Sequence, residues 1–142
     1  MIFLQSDFSS ELSLPYADGG VRAGFPSPAQ DYMDRTLDLN KELISHPAST
    51  FYCRVVGESM IDAGIHPDDI LVIDRSVDPT DGCTAVCFLN GEFTVKDLDL
   101  SQRSSGLIRL VPHNPDYPVI DVHAEDNFEI WGVVSYVIHK VK

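Results

Sequence analysis

The sequence predicts a mainly β domain, a compact barrel-like or sandwich-like fold with one short helix and a flexible N-terminal arm. Three observations lead there. From residue 51 onward, short runs rich in aromatic and β-branched residues recur, bounded by Gly, Pro, Asn or Asp. Asn90-Gly91 separates two of these runs, and both central positions of a two-residue hairpin turn favour residues that accept positive φ. Residues 1–26 instead mix Ser, Gly, Asp and isolated apolar residues without helical or strand period.

Within that first stretch Asp18-Gly19-Gly20 is a flexible break. Ser27-Pro28-Ala29-Gln30 reads as a helix start, since Ser can cap, Pro fits the first turn and Gln completes a capping box. A short helix is expected from residue 28 towards residue 44. His46-Pro47 closes it, because proline disfavours helical backbone at the preceding residue. Strands follow at 51–56, ended by Gly57, and at 70–73, 84–89, 92–98, 107–111, 119–122 and 128–141. The run Pro112-His113-Asn114-Pro115-Asp116-Tyr117-Pro118 is rich in turn formers and separates the fifth strand from the sixth. About seven short strands suit a sandwich or barrel.

A length of 142 residues with 44% apolar content suffices for one hydrophobic core. The 22 acidic residues outnumber the 10 basic ones and give a net charge of −12, which repels a phosphate backbone. Direct nucleic-acid binding is therefore not expected. The apolar run at 131–138 falls short of the ~20 residues that span a bilayer. The apolar stretch at residues 1–5 is short and has no basic residue before it, unlike a secretory signal. A cytoplasmic protein without a membrane anchor is expected. Cys53, Cys83 and Cys87 are odd in number, and three residues rather than two separate the last pair, so they read as small half-buried hydrophobes. No metal and no cofactor are expected.

The residues able to do chemistry are few. Gly57-Glu58-Ser59-Met60 puts a serine just after a strand, at a glycine break where a helical turn can begin. Such a turn exposes the hydroxyl and aims free backbone N–H groups near it. Ile61 occupies the place of the second glycine of the hydrolase elbow, so a Ser-His-Asp reading lacks its local signature. His46, His66, His113, His123 and His139 are scattered, and Asp68-Asp69 and Glu125-Asp126 read as solvated turns ahead of strands. In the strand around Lys96, period-2 alternation groups Thr94, Lys96 and Leu98 on one face and Phe93, Val95 and Asp97 on the other. A lysine between Thr and Leu can be partly desolvated, which lowers its pKa and fits it to accept a serine proton. Taken alone, either residue also fits a structural role.

In combination they resemble a known family. Gly57-Glu58-Ser59-Met60-Ile61-Asp62, then Gly64-Ile65, Asp69-Ile70-Leu71 and Glu92-Phe93-Thr94-Val95-Lys96, resemble the LexA/UmuD family of self-cleaving Ser-Lys proteases in order and separation. Ser59 and Lys96 lie 37 residues apart. Ala23-Gly24-Phe25-Pro26-Ser27-Pro28 is similar to the family's self-cleavage segment. The resemblance implies a LexA C-terminal-type fold with a cleavable arm at 1–23 and a β-rich peptidase domain at 24–142. It implies Ser59 as nucleophile, Lys96 as general base, the backbone N–H groups of Glu58 and Ser59 as oxyanion hole, and Ala23-Gly24 as the bond cut.

An arm of 23 residues is too short for the helix-turn-helix domain of the repressor branch, so the accessory-subunit branch fits better. That branch implies stimulation by RecA filaments in the SOS response, a homodimer, and a shortened product that joins a Y-family translesion polymerase. Many family members carry a second basic residue after the catalytic lysine, whereas this chain has Asp97. A carboxylate beside an ammonium raises its pKa, but alternation turns Asp97 and Asp99 away from Lys96. The alternative reading is a non-enzymatic interaction module docking a polymerase or RecA. A third is a protease acting on other chains.

Overall fold

The computed structural model describes residues 3–7, 10–16, 23–24 and 35–142. These form two units, one made of Met1–Ser6 with His46–Lys142 and the other of Asp7–Ser45.

The larger unit is built on one eight-stranded antiparallel sheet. In chain order its strands are β1 (Phe3–Gln5), β4 (Thr50–Arg54), β5 (Ile70–Asp74), β6 (Thr84–Leu89), β7 (Glu92–Asp99), β8 (Ile108–Val111), β9 (Ile120–Val122) and β10 (Phe128–Ile138). In space they run β1-β4-β5-β10-β6-β7-β8-β9. All seven expected strands are present. The sheet keeps two free edges, so it is sandwich-like rather than a closed barrel. Asn90 and Gly91 adopt φ of 48° and 91°, and Leu89 faces Glu92 across the two-residue turn, as the hairpin reading requires.

β10 organises the sheet. Its first half pairs with β6 and its second half with β5, with register shifts at Ile130/Gly132 and Val134/Tyr136. A bulge bends and twists a strand, which lets one long strand serve two differently directed neighbours. Gly132 sits at the first shift because a Cβ there would stand 2.5 Å from Ile73 Cγ2. Core lies on both faces of β6: Val86 joins a cluster with Cys53, Met60, Leu71, Ile73 and Val95, whereas Ala85 and Cys87 join Leu98, Leu110 and Val122.

The reading of residues 1–26 as a stretch without strand period misses two strands. Phe3–Gln5 adds an edge to β4, and the Phe3 ring lies 4.2 Å from that of Trp131 and 4.8 Å from that of Phe93. One aromatic anchor and an open strand edge suffice to order three residues, and three residues carry no readable period. In the smaller unit, β2 (Ser13–Tyr16) pairs with β3 (Arg35–Asp38). Of the helix expected from residue 28 towards 44, the described part from residue 35 holds strand at Arg35–Asp38 and helix α1 at Leu39–Leu43. Asp38 accounts for its start, since Asp38 Oδ1 accepts the Asn40 N–H at 3.0 Å as an N-cap, and the cap residue is extended backbone that ends β3. Asp18-Gly19-Gly20 and the Ser27-Pro28-Ala29-Gln30 helix start lie outside the described residues. Among the described residues, no helix is long and apolar enough to cross a membrane.

Candidate active site

β4 ends at Arg54, and the chain turns at Gly57, whose φ of +90° suits glycine. Ser59 follows, half-buried, with Met60 sunk beside it into the core at 2% exposure. A 3-10 turn at Ile61–Ala63 continues the chain and closes on Gly64 at φ 80°. Met60 is thus the apolar peg that fixes the serine at the mouth of this turn. Among the described residues, no acceptor takes the backbone N–H of Glu58 or Ser59.

A second segment braces the turn from outside. The His113 N–H donates to the Ser59 carbonyl and the Asp62 N–H donates to the His113 carbonyl, each at 2.8 Å. Asn114 Nδ2 donates to the Glu58 carbonyl at 2.9 Å. The His113 ring Nε2 lies 2.5 Å from Asp97 Oδ2, and Asp97 Oδ1 accepts from Thr84 Oγ1 at 2.6 Å. The serine turn is therefore tied through His113 to β7, the strand that carries the lysine. Sequence reasoning did not find this brace. Its only signal was the turn-rich run from Pro112 to Pro118.

Lys96 lies on β7 opposite Ala85 and is 6% exposed. Its Nζ stands 2.8 Å from Ser59 Oγ, 2.6 Å from Thr94 Oγ1 and 3.1 Å from the Val95 carbonyl. Thr94 and Lys96 share a face, as the alternation requires. Burial pushes the lysine below its ordinary range, and negative charge on Cys87 would oppose that. Burial, foremost, pushes the Cys87 thiol up to about 12, so at neutral pH it is uncharged and the opposing influence is absent. Asp97 is engaged by Thr84 and His113 on the other face of the strand.

The fold thus brings Ser59 and Lys96 into direct contact. Ala23 and Gly24 occupy an exposed bend of the smaller unit, and a Cβ at Gly24 would meet nothing within 4 Å. The other histidines are engaged elsewhere: His46 with Asp74, His139 with Asp69, and His123 through its N–H with Asp126. Among the described residues, no histidine ring hydrogen-bonds Ser59. Cys53, Cys83 and Cys87 are free thiols, two of them buried. Asp69 departs from the solvated-turn reading, being 2% exposed.

Known proteins resemble this chain over most of its length. A family model described as Peptidase S24-like matches residues 15–135. Protein SamA of Salmonella typhimurium is 43% identical over 120 residues, covering 84% of this chain and 81% of that protein. Protein MucA of Escherichia coli is 41% identical over 136 residues, covering 95% and 90%. The LexA repressor of Paracidovorax citrulli is 39% identical over 129 residues, covering 91% of this chain and 55% of the repressor.

Proposed function

Because the chain belongs to the Peptidase S24-like family, we propose that it is a self-cleaving serine endopeptidase with Ser59 as nucleophile, Lys96 as general base and its own Ala23-Gly24 bond as substrate. The observation that carries this reading is the 2.8 Å approach of Lys96 Nζ to Ser59 Oγ by a lysine withdrawn from solvent. Neutral Lys96 takes the Ser59 proton as Oγ attacks the Ala23 carbonyl carbon. The N–H groups of Glu58 and Ser59 stabilise the resulting oxyanion, each such donor lowering the barrier by about 3 to 4 kcal/mol. Lys96 then gives its proton to the departing Gly24 amine. Water hydrolyses the acyl-enzyme and releases a product that begins at Gly24.

The substrate is tethered to its enzyme, so its effective concentration is high and the rate follows how often the segment docks productively. A RecA filament on single-stranded DNA, formed in the SOS response, is the proposed stimulus, acting by favouring the docked segment. The cleaved form is proposed to be a homodimer that serves as accessory subunit to a Y-family translesion polymerase. The match to a LexA repressor supports the regulatory setting, and a net charge of −12 supports leaving DNA contact to the partners. Exposed Tyr136, Val137 and Ile138 on β10 offer apolar area to a second copy. The free thiols fit a reducing cytoplasm.

The test is mass spectrometry of the purified full chain after incubation from pH 7 to 10, with and without RecA filaments. A fragment beginning at Gly24 should appear, faster at higher pH and faster with filaments, and Ser59→Ala or Lys96→Ala should abolish it. Cleavage that survives in either variant, or a rate flat with pH, refutes the dyad.

A further inference from the structure

Just past the serine turn along the chain, His66 and the buried carboxylate of Asp69 meet His139 from the far end of the sequence. Ile65 is buried and anchors the turn His66-Pro67-Asp68-Asp69. Asp69 locks that turn: its Oδ2 accepts the His66 N–H at 2.8 Å, and its own N–H donates to the His66 carbonyl at 3.1 Å. Ile138 faces Ile70 across β10 and β5, so the next residue along β10 arrives beside Asp69. His139 Nδ1 accordingly stands 2.6 Å from Asp69 Oδ1, and the two imidazole rings lie 4.9 Å apart.

One atom in this group is not accounted for by the fold. His66 Nδ1 is buried, has no hydrogen-bond partner among the described residues, and lies 3.6 Å from Asp69 Oδ2. A ring nitrogen withheld from water without a partner is a net cost that native structures rarely leave standing. One ligand atom from each of His66, Asp69 and His139 lies within 4.8 Å of the others. Bonds of about 2.0 to 2.2 Å to one ion place donor atoms up to roughly 4 Å apart, so a rotation of His139, whose side chain is 51% exposed, brings all three into reach.

We propose that His66, Asp69 and His139 bind one divalent transition-metal ion of the zinc type. Two imidazoles and one carboxylate form the donor set that suits Zn2+, Co2+ or Ni2+ and suits Mg2+ or Ca2+ poorly. The His66 and His139 side chains are 41% and 51% exposed, which gives an ion a way in from solvent. The sequence hides this site, because a gap of 70 residues separates Asp69 from His139 and no ligand-spacing motif results. The ion also has a place to act. The Val55 N–H donates to the Asp69 carbonyl at 2.8 Å and the Asp68 N–H to the Val55 carbonyl at 3.0 Å. A metal here therefore ties the end of β10 to the strand end that leads into Gly57 and Ser59.

Titration calorimetry of chelator-treated full-length protein with Zn2+ tests the proposal. One saturable site per chain is expected. His66→Ala and His139→Ala should each weaken it at least ten-fold, whereas His46→Ala, beside Asp74, should leave it unchanged. The Co2+ form should show visible d–d bands without thiolate charge transfer, which separates this site from Cys53, Cys83 and Cys87. Circular dichroism confirms folding, and should His66→Ala unfold, His139→Ala alone decides, its ring being half exposed. No saturable binding, wild-type affinity in His139→Ala, or a thiolate band would overturn the assignment.

Discussion

Replacing Lys96 with Met should stabilise a cleavage-dead chain at pH 7, and the gain should shrink as the pH rises. The comparison is Ser59→Ala against Ser59→Ala with Lys96→Met, a background that removes the contact with Ser59 Oγ and, on the proposed mechanism, self-cleavage. In that background Nζ keeps its bonds to Thr94 Oγ1 at 2.6 Å and to the Val95 carbonyl at 3.1 Å. At about 1 kcal/mol net each, their loss costs roughly 2 kcal/mol. Against this stands an ammonium held at 6% exposure, a penalty of several kcal/mol after relaxation, while Met keeps the aliphatic burial. The balance is a gain of about 1 to 3 kcal/mol, or a rise in Tm of roughly 3 to 9 °C for a chain of this size.

The pH dependence has a definite sign. Burial lowers the folded-state pKa of Lys96, so between that value and about 10.4 the unfolded chain binds more protons than the folded one. In that window the lysine form gains up to about 1.36 kcal/mol per pH unit, and the methionine form gains nothing from this site. Urea denaturation of both chains at pH 7, 8, 9 and 10 measures the gap. A methionine chain that is 2 kcal/mol less stable at pH 7, or a gap that stays constant through pH 10, would refute a desolvated lysine at position 96.

Three further expectations concern the frame around the site. Gly132→Ala should cost about 2 kcal/mol in urea melts, because the added carbon lands 2.5 Å from Ile73 Cγ2 and 3.3 Å from Arg75 Cγ, so packed strands must part. Phe3→Ala should cost roughly 2 kcal/mol and speed amide exchange in β4, since it deletes the ring packed on Trp131 and Phe93. For Asp74, burial pushes the carboxyl up, but hydrogen bonds from Ser76, His46 and Ser49 outweigh it and hold the group below the usual range. Its contribution is therefore full above about pH 4 and lost as pH falls through the folded value. Stability followed from pH 5 to pH 2 should drop less steeply in Asp74→Asn than in the parent.

How much of this was legible in the sequence depended on the range of the signal. The β6–β7 hairpin was readable because Asn90-Gly91 states its turn chemistry locally, and the seven core strands were readable from runs of β-branched residues. Strands β1, β2 and β3 were not, because pairing with a neighbour rather than their own pattern makes them strands. The expected helix gives way to strand at residues 35–38 for the same cause, since Arg35–Asp38 pairs with Ser13–Tyr16 and Asp38 restarts the backbone as a cap. Alternation correctly placed Thr94 beside Lys96 and Asp97 away from it. The bracing of Ser59 by His113 and Asn114, and the meeting of His66 and Asp69 with His139, depend on loops brought together by the sheet. No local pattern encodes such meetings.

The split allegiance of β10 makes proteolysis a gauge of the whole sheet. Ser59 follows β4, which lies on the β5 side of β10, and Lys96 stands on β7, which lies on the β6 side. A one-residue slip along either half of β10 would displace Ser59 or Lys96 by about 3.3 Å relative to the other. That exceeds the 2.8 Å now separating Nζ from Oγ. On the proposed mechanism, chains in which β10 has not yet paired on both sides lack the alignment needed to cut. That mechanism ties competence to self-process to the pairing of the last strand with both halves of the sheet.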